Sequence, residues 1–330
     1  MGAGGGRGSR PRQRPRRRDR ARTSARRIRH EAADHARPRA RGPRVALRAP
    51  DDVRGWRHGQ RDDHRAAVST GTAPTVVRTQ RPDPGVVEVV LAAGDRGNAI
   101  DLAWCDAFDD ALATIGPDDR VVLVHAEGRN FCVGGDVATF VGDDPGAQVR
   151  TLADRVHDTI RRLDAVPLPV VVAVQGWAAG AGFSLALAGD LVVFGASARA
   201  KTAYRAIGLT GDGGLTWQLQ RKVGHGTALD LLLSDRVLDA DAALHLGVAT
   251  RVAADADLLD AARELARTVA AGPRDAAIAV KQLVRAAPTS TLTDQLDAET
   301  DAIAAAADHP DGREGVAAFL ERRPPRFGPG

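Results

Sequence analysis

The stretch VVVAVQGWAAGAGFSLALAGD, Val170–Asp190, constrains the fold of this 330-residue chain more than any other. Its β-branched run Val170–Val174 reads as a buried strand. Gly176–Gly182 reads as a turn, and Phe183–Ala188 as a small apolar helix. Gly180 and Gly182 leave no side chain over the first amides of that helix. Unpaired N–H groups at a helix start attract negative charge. Donors fixed in that way suit an enolate or a tetrahedral oxyanion. A nucleotide-phosphate loop is the competing reading, but no Lys-Ser/Thr follows the turn and no GxGxxG spacing occurs.

A second segment repeats the pattern. The predicted strand Val121–Ala126 runs into EGRNFCVGGDV, Glu127–Val137, another strand that ends in a glycine-rich turn, near Gly134 and Gly135. Two such loops can each offer one N–H to the same oxygen.

Charge divides the chain. Residues 1–67 carry 21 Arg, no Lys and 7 acidic residues; the remainder carries 25 basic and 35 acidic residues. The basic pI of 9.6 therefore belongs to the first fifth, and the body is mildly acidic. The first segment has no apolar periodicity and cannot offset its ordering entropy by burial, so residues 1–70 are expected to be a disordered extension. Three roles compete for it: a nucleic-acid-binding arm, a transit peptide, or upstream sequence included through a misassigned start. The poverty in Ser argues against the second, and the sharp compositional break near Val68–Ser69 favours the third.

No signal-peptide core and no membrane-length apolar run is present, which predicts a cytoplasmic protein without membrane partners. Cys105 and Cys132 do not make a disulfide framework. Cys132 lacks a neighbouring base and reads as a small buried hydrophobe. The His and Cys spacing offers no metal site. His125, at a strand end, reads as a structural histidine.

Strands are expected at Thr75–Arg78, Val86–Leu91, Val121–Ala126, Val170–Val174 and Leu191–Phe194. Helices are expected at Leu102–Ile115, Gln148–Asp164 and Phe183–Ala188. The alternation predicts an α/β fold. Beyond about Val252 the pattern is helical throughout, with helices at Leu258–Ala271, Ala276–Ala287, Thr291–Ala307 and Gly312–Glu321. Gly272-Pro273 and Ala287-Pro288 separate the first three.

The chain resembles the crotonase, or enoyl-CoA hydratase/isomerase, superfamily. The resemblance rests on GNAID (Gly97–Asp101), FCVGGDV (Phe131–Val137), PLPVVVAVQGWAAGAGFSLALAGD (Pro167–Asp190), IGLTGDGGLTWQLQRKVG (Ile207–Gly224) and EGVAAFLERRPPRF (Glu314–Phe327). It implies a spiral of ββα repeats over residues 71–255 and a helical trimerisation region over 256–330, with trimers often paired as hexamers. It also implies an acyl-CoA thioester as substrate and no cofactor beyond the CoA of the substrate. The oxyanion-hole donors it implies are the N–H groups of Val133 and Ala181. Gly134, Asp136, Gly180 and Gly182 would then border the substrate, although Asp136 also suits a helix cap.

Hydratases of this superfamily activate water with two glutamates, whose positions are taken here by Ser184 and Tyr204. Dienoyl-CoA isomerases and ring-epoxide phenylacetyl-CoA isomerases have an aspartate where Asp212 stands, and GDGGLTW is similar to the PDxGGTW of the latter. The resemblance therefore implies an enoyl-CoA isomerase with Asp212 as acid/base, and Ser184 and Tyr204 as further catalytic candidates. The alternatives are a hydratase of reduced activity, and a non-catalytic protein of the same fold whose Arg-rich arm binds nucleic acid.

Overall fold

The computed structural model describes residues 75–328. The expected extension, residues 1–70, lies outside them.

The larger sheet has strand order β1-β2-β3-β4-β6-β9. β1 (Val77–Asp83) and β2 (Val86–Leu91) form an antiparallel hairpin. From β2 onward the sheet is parallel, through β3 (Val121–Ala126), β4 (Val170–Val174), β6 (Leu191–Gly195) and β9 (Arg251–Ala253). All residues of β2 and β4 are buried. Their near-continuous Val/Leu composition follows from cover on both faces, as is usual for parallel sheets.

One face packs against α1 (Leu102–Ala113) and α2 (Pro145–Ala165), with Trp104, Phe108 and Leu163 in the core. The other face packs against α7 (Leu258–Ala270), whose Leu258, Ala262 and Leu265 meet Val121, Leu123 and Val171. A smaller sheet joins β5 (Trp177–Ala179), β7 (Arg199–Lys201) and β8 (Leu238–Asp239). Its strands hold two or three residues each, too few for periodicity to reveal them. The sequence reading also omitted α4 (Leu215–Val223), α5 (His225–Ser234) and α6 (Ala240–His245). β1 runs five residues past the expected end at Arg78 because Gly85 closes a hairpin the reading did not anticipate.

The helical C-terminal part follows as expected, with α8 (Arg274–Ala286), α9 (Leu292–Asp308) and α10 (Pro310–Glu321) after α7. α8 is pinned to the strand-rich part by Lys281, whose Nζ reaches Asp190 Oδ2 and the Leu168 carbonyl, both at 2.7 Å. Ile303 on α9 and Val316, Phe319 and Leu320 on α10 are exposed.

One charged network lies between sheet and helix. Glu88, fully buried on β2, receives Arg263 Nε at 2.7 Å and Nη2 at 3.0 Å from α7. His125 Nε2 lies 3.1 Å from the same carboxylate, the structural role expected of it. Burial opposes ionisation of Glu88, but hydrogen bonds from His125, Arg263 and Gln80 overcome it and hold the carboxyl well below the usual range. A depressed folded-state pKa stabilises the fold above the unfolded value of about 4.3. That stabilisation disappears only as pH falls through the folded value. Glu88→Gln is expected to cost about 3 kcal/mol at neutral pH, because it strips Arg263 of its counter-charge. Urea unfolding should show this deficit narrowing only below the ordinary carboxylate range.

Candidate active site

Two loops are fastened together by main chain. Cys132 N donates to Trp177 O at 3.1 Å, and Ala179 N donates to Cys132 O at 3.0 Å. Ile100 N donates to Gly134 O at 2.8 Å and Asp136 N to Ile100 O at 2.9 Å, so the GNAID segment braces the first loop. Gly182, in α3 (Ala181–Leu187), presses against that loop. A side-chain carbon at Gly182 would lie 2.3 Å from the Cys132 carbonyl oxygen and 2.7 Å from its Sγ. Gly134 takes φ +102°, which a larger residue rarely adopts.

The Val133 N–H, the donor the resemblance implies, meets a main-chain acceptor in this structure. Val133 N donates to the Gly97 carbonyl at 3.1 Å, so its N–H is already used. Phe131, Cys132 and Asp136 also spend their amides on main-chain carbonyls. The Gly134 N–H turns toward Cys132 Sγ. Between Phe131 and Asp136, Gly135 is the one residue whose amide has no acceptor among the described residues.

In the second loop, the Ala181 N–H has no acceptor at the start of α3. The reading took this helix to begin at Phe183; it begins two residues earlier, so Ala181 and Gly182 are its first residues. Gly180 is the N-cap and lies beside the Tyr204 ring, where an added side chain would come within 3.8 Å of Cζ.

Asp136 fills the capping role that its sequence position also suits. Its Oδ1 accepts from Ala138 N at 3.1 Å and caps the short 3-10 turn Val137–Phe140. Cys132 is fully buried, which pushes its thiol up to about 12 and leaves it no nucleophilic character near neutral pH.

Asp212, Ser184 and Tyr204, dispersed in sequence, come together. Ser184 is completely buried and donates from Oγ to the Asp212 main-chain carbonyl at 2.9 Å. The same carbonyl accepts Leu215 N at 3.0 Å, which ties the loop to the start of α4. Ser184 therefore anchors the loop. The Tyr204 hydroxyl donates to Asp212 Oδ1. Burial, together with the Asp212 charge, raises the Tyr204 pKa and keeps the phenol neutral. Ser184→Ala should cost only about 1 kcal/mol by urea unfolding, since Leu215 N still holds the carbonyl. Isomerisation, if Asp212 drives it, should fall less than about tenfold.

An apolar cavity of about 440 Å³ opens between the continuation of the first loop and the segment leading to Asp212. Val137, Phe140, Pro145, Val149, Ile207 and Leu209 line it. Its size and lining suit an acyl group.

Residues 82–329 match the family model described as Enoyl-CoA hydratase/isomerase. The chain belongs to this family. It is 36% identical over 250 residues to 1,2-epoxyphenylacetyl-CoA isomerase of Escherichia coli (strain K12), an alignment covering 74% of this chain and 95% of the relative. It is 32% identical over 244 residues to 4-chlorobenzoyl coenzyme A dehalogenase-2 of Arthrobacter sp, covering 72% of this chain and 88% of that one. The crystal structure of an enoyl-CoA hydratase from Polaromonas sp. JS666 superposes with a TM-score of 0.72 at 32% identity, covering 76% of this chain and 99% of that one. The crotonase fold and the enzyme class follow from these matches. Relatives named as an isomerase, a dehalogenase and a hydratase occur at similar identity, so the reaction itself must be argued from the site.

Proposed function

We propose that this enzyme is an acyl-CoA isomerase that moves a proton between carbons of an enoyl-CoA thioester. The thioester oxygen, as it becomes an enolate, rests on the N–H groups of Gly135 and Ala181. Each such donor typically contributes about 3 kcal/mol to lowering the barrier. Asp212 removes the α- or γ-proton and returns it to the other carbon. No water is consumed and no cofactor is needed beyond the CoA of the substrate.

One observation carries this reading: the pair of carboxylates that would activate water is replaced by Ser184 and Tyr204, and both hydroxyls serve Asp212 instead. A single carboxylate beside an oxyanion site is sufficient for proton transfer between carbons. The apolar lining of the neighbouring cavity favours a hydrophobic or aromatic acyl group. The similarity to 1,2-epoxyphenylacetyl-CoA isomerase makes a ring-epoxide CoA ester a second substrate class to test.

The reading includes assembly through the exposed apolar residues of α9 and α10, as a trimer or hexamer, and a cytoplasmic location, supported by two unpaired buried cysteines. Among the described residues no helix is long and apolar enough to cross a membrane.

A panel of enoyl-CoA and aryl-acetyl-CoA esters in deuterium oxide tests the proposal, with exchange, isomerisation and hydration scored separately. Exchange and isomerisation without hydration is the expected result. Hydration without exchange would make the chain a hydratase, and inertness toward every ester would favour the binding-protein reading.

A further inference from the structure

The lone tyrosine of the chain occupies one oxygen of the candidate base. Its position is built, not incidental. Ala203, immediately before it, takes φ +64°, a conformation unusual for a residue with a side chain. Asp235 holds that backbone: its Oδ1 accepts Ala203 N at 2.8 Å and Thr202 Oγ1 at 3.0 Å, while Lys201 Nζ lies 3.0 Å from its Oδ2. Such backbone persists only where the surroundings over-determine it. Its effect here is to direct the phenol from the end of β7, past Gly180, to Asp212.

We propose that Tyr204 is a positioning residue that commits Asp212 Oδ1 to a hydrogen bond, so that Oδ2 alone carries the transferred proton and the site moves protons between carbons rather than adding water. This rests on the isomerase reading and deepens it. In the proton-removal step a C–H bond of the acyl chain breaks. The proton goes to Oδ2, and the electron pair passes into the enolate held by the two amides. In the return step the Oδ2–H bond breaks and a C–H bond forms at the other carbon, so atoms and charge balance without a co-reactant. The Tyr204 proton stays on its own oxygen throughout.

The groups facing Asp212 are few. Tyr204 reaches it from the segment after β7, Ser184 from α3 touches only its carbonyl, and Gln218 of α4 points at Ser184 and Gly213 carbonyls. Among the described residues no basic side chain lies within 4 Å of the carboxylate, so the phenol is its one strong donor. Water addition needs a second acceptor to hold the attacking water. The position that could supply one is filled by a phenol whose O–H is already engaged in a hydrogen bond to Asp212.

Because Tyr204 is the only tyrosine, uniform incorporation of meta-fluorotyrosine labels this site alone. Fluorine NMR of the full-length protein should show one resonance that moves with acid titration. It should be stationary over the same range in Asp212→Asn. In parallel, Tyr204→Phe should lower kcat for isomerisation by about tenfold or more while KM changes less than about twofold. A resonance with the same titration in Asp212→Asn overturns the pairing even if Tyr204→Phe does not fold. A folded Tyr204→Phe enzyme with unchanged kcat, or with kcat and KM changed alike, overturns the positioning role. If the unmodified enzyme exchanges no proton with any CoA ester, the isomerase reading falls and the proton path with it, while the fluorine titration still decides the pairing.

Discussion

Asp212→Asn is expected to lower the rate of isomerisation and of proton exchange by about a hundredfold to ten-thousandfold, the usual contribution of a positioned general base. The substitution conserves size and leaves an oxygen to accept the Tyr204 hydroxyl. It does not touch the main-chain carbonyl, so the bonds from Ser184 at 2.9 Å and Leu215 at 3.0 Å survive. The loop should therefore keep its shape and the melting temperature should stay close to that of the unmodified protein. KM for the CoA ester should change little, because the lost interaction acts in the transition state and not in ground-state binding. Steady-state kinetics with deuterium exchange would measure all three quantities. Retention of more than about a tenth of the activity would show that another group moves the proton.

Gly182→Val should be nearly as damaging for a different reason. Gly182 has an ordinary helical backbone, so its constraint is space and not conformation. A side-chain carbon there would sit 2.3 Å from the Cys132 carbonyl oxygen, which is main chain and cannot swing aside. The two loops would have to separate, breaking the 3.0 Å bond from Ala179 N to Cys132 O and carrying the Ala181 N–H off target. Losing one oxyanion donor costs about a hundredfold to a thousandfold in turnover. Overpacking adds a stability loss of about 1–3 kcal/mol. Circular dichroism separates the two: a folded protein with collapsed turnover is the expected outcome. Full activity would place the thioester away from this turn.

Much of the architecture was legible because it repeats a simple physical pattern. The runs Val86–Leu91, Val121–Ala126 and Val170–Val174 are strands with those bounds, as buried β-branched segments tend to be. The helical C-terminal part was legible from its period. The small sheet was not, since β5, β7 and β8 are held by neighbours and too short to carry a pattern. The site divided in the same way. That Asp212, Ser184 and Tyr204 belong together could be read from motif position, but not what each hydroxyl does. Ser184 grips a carbonyl and Tyr204 a carboxylate, a distinction set by the path of the chain through Ala203 and Asp212. The contact of the Val133 N–H with the Gly97 carbonyl has a similar origin. Which amide in Cys132–Val133–Gly134–Gly135 is free depends on where the carbonyls of Gly97 and Trp177 fall, and those belong to distant segments.

The amides of Gly135 and Ala181 have a consequence for how such a protein changes over generations. A group supplied by the peptide bond is not encoded by any one codon, so most point mutations leave it in place. The residues at 184, 204 and 212, by contrast, can each be rewritten singly. On the proposed mechanism, anion holding is inherited with the fold, while the choice of reaction rests on three interchangeable letters. A lineage with this arrangement can trade one transformation of a thioester for another without first losing the ability to handle thioesters at all.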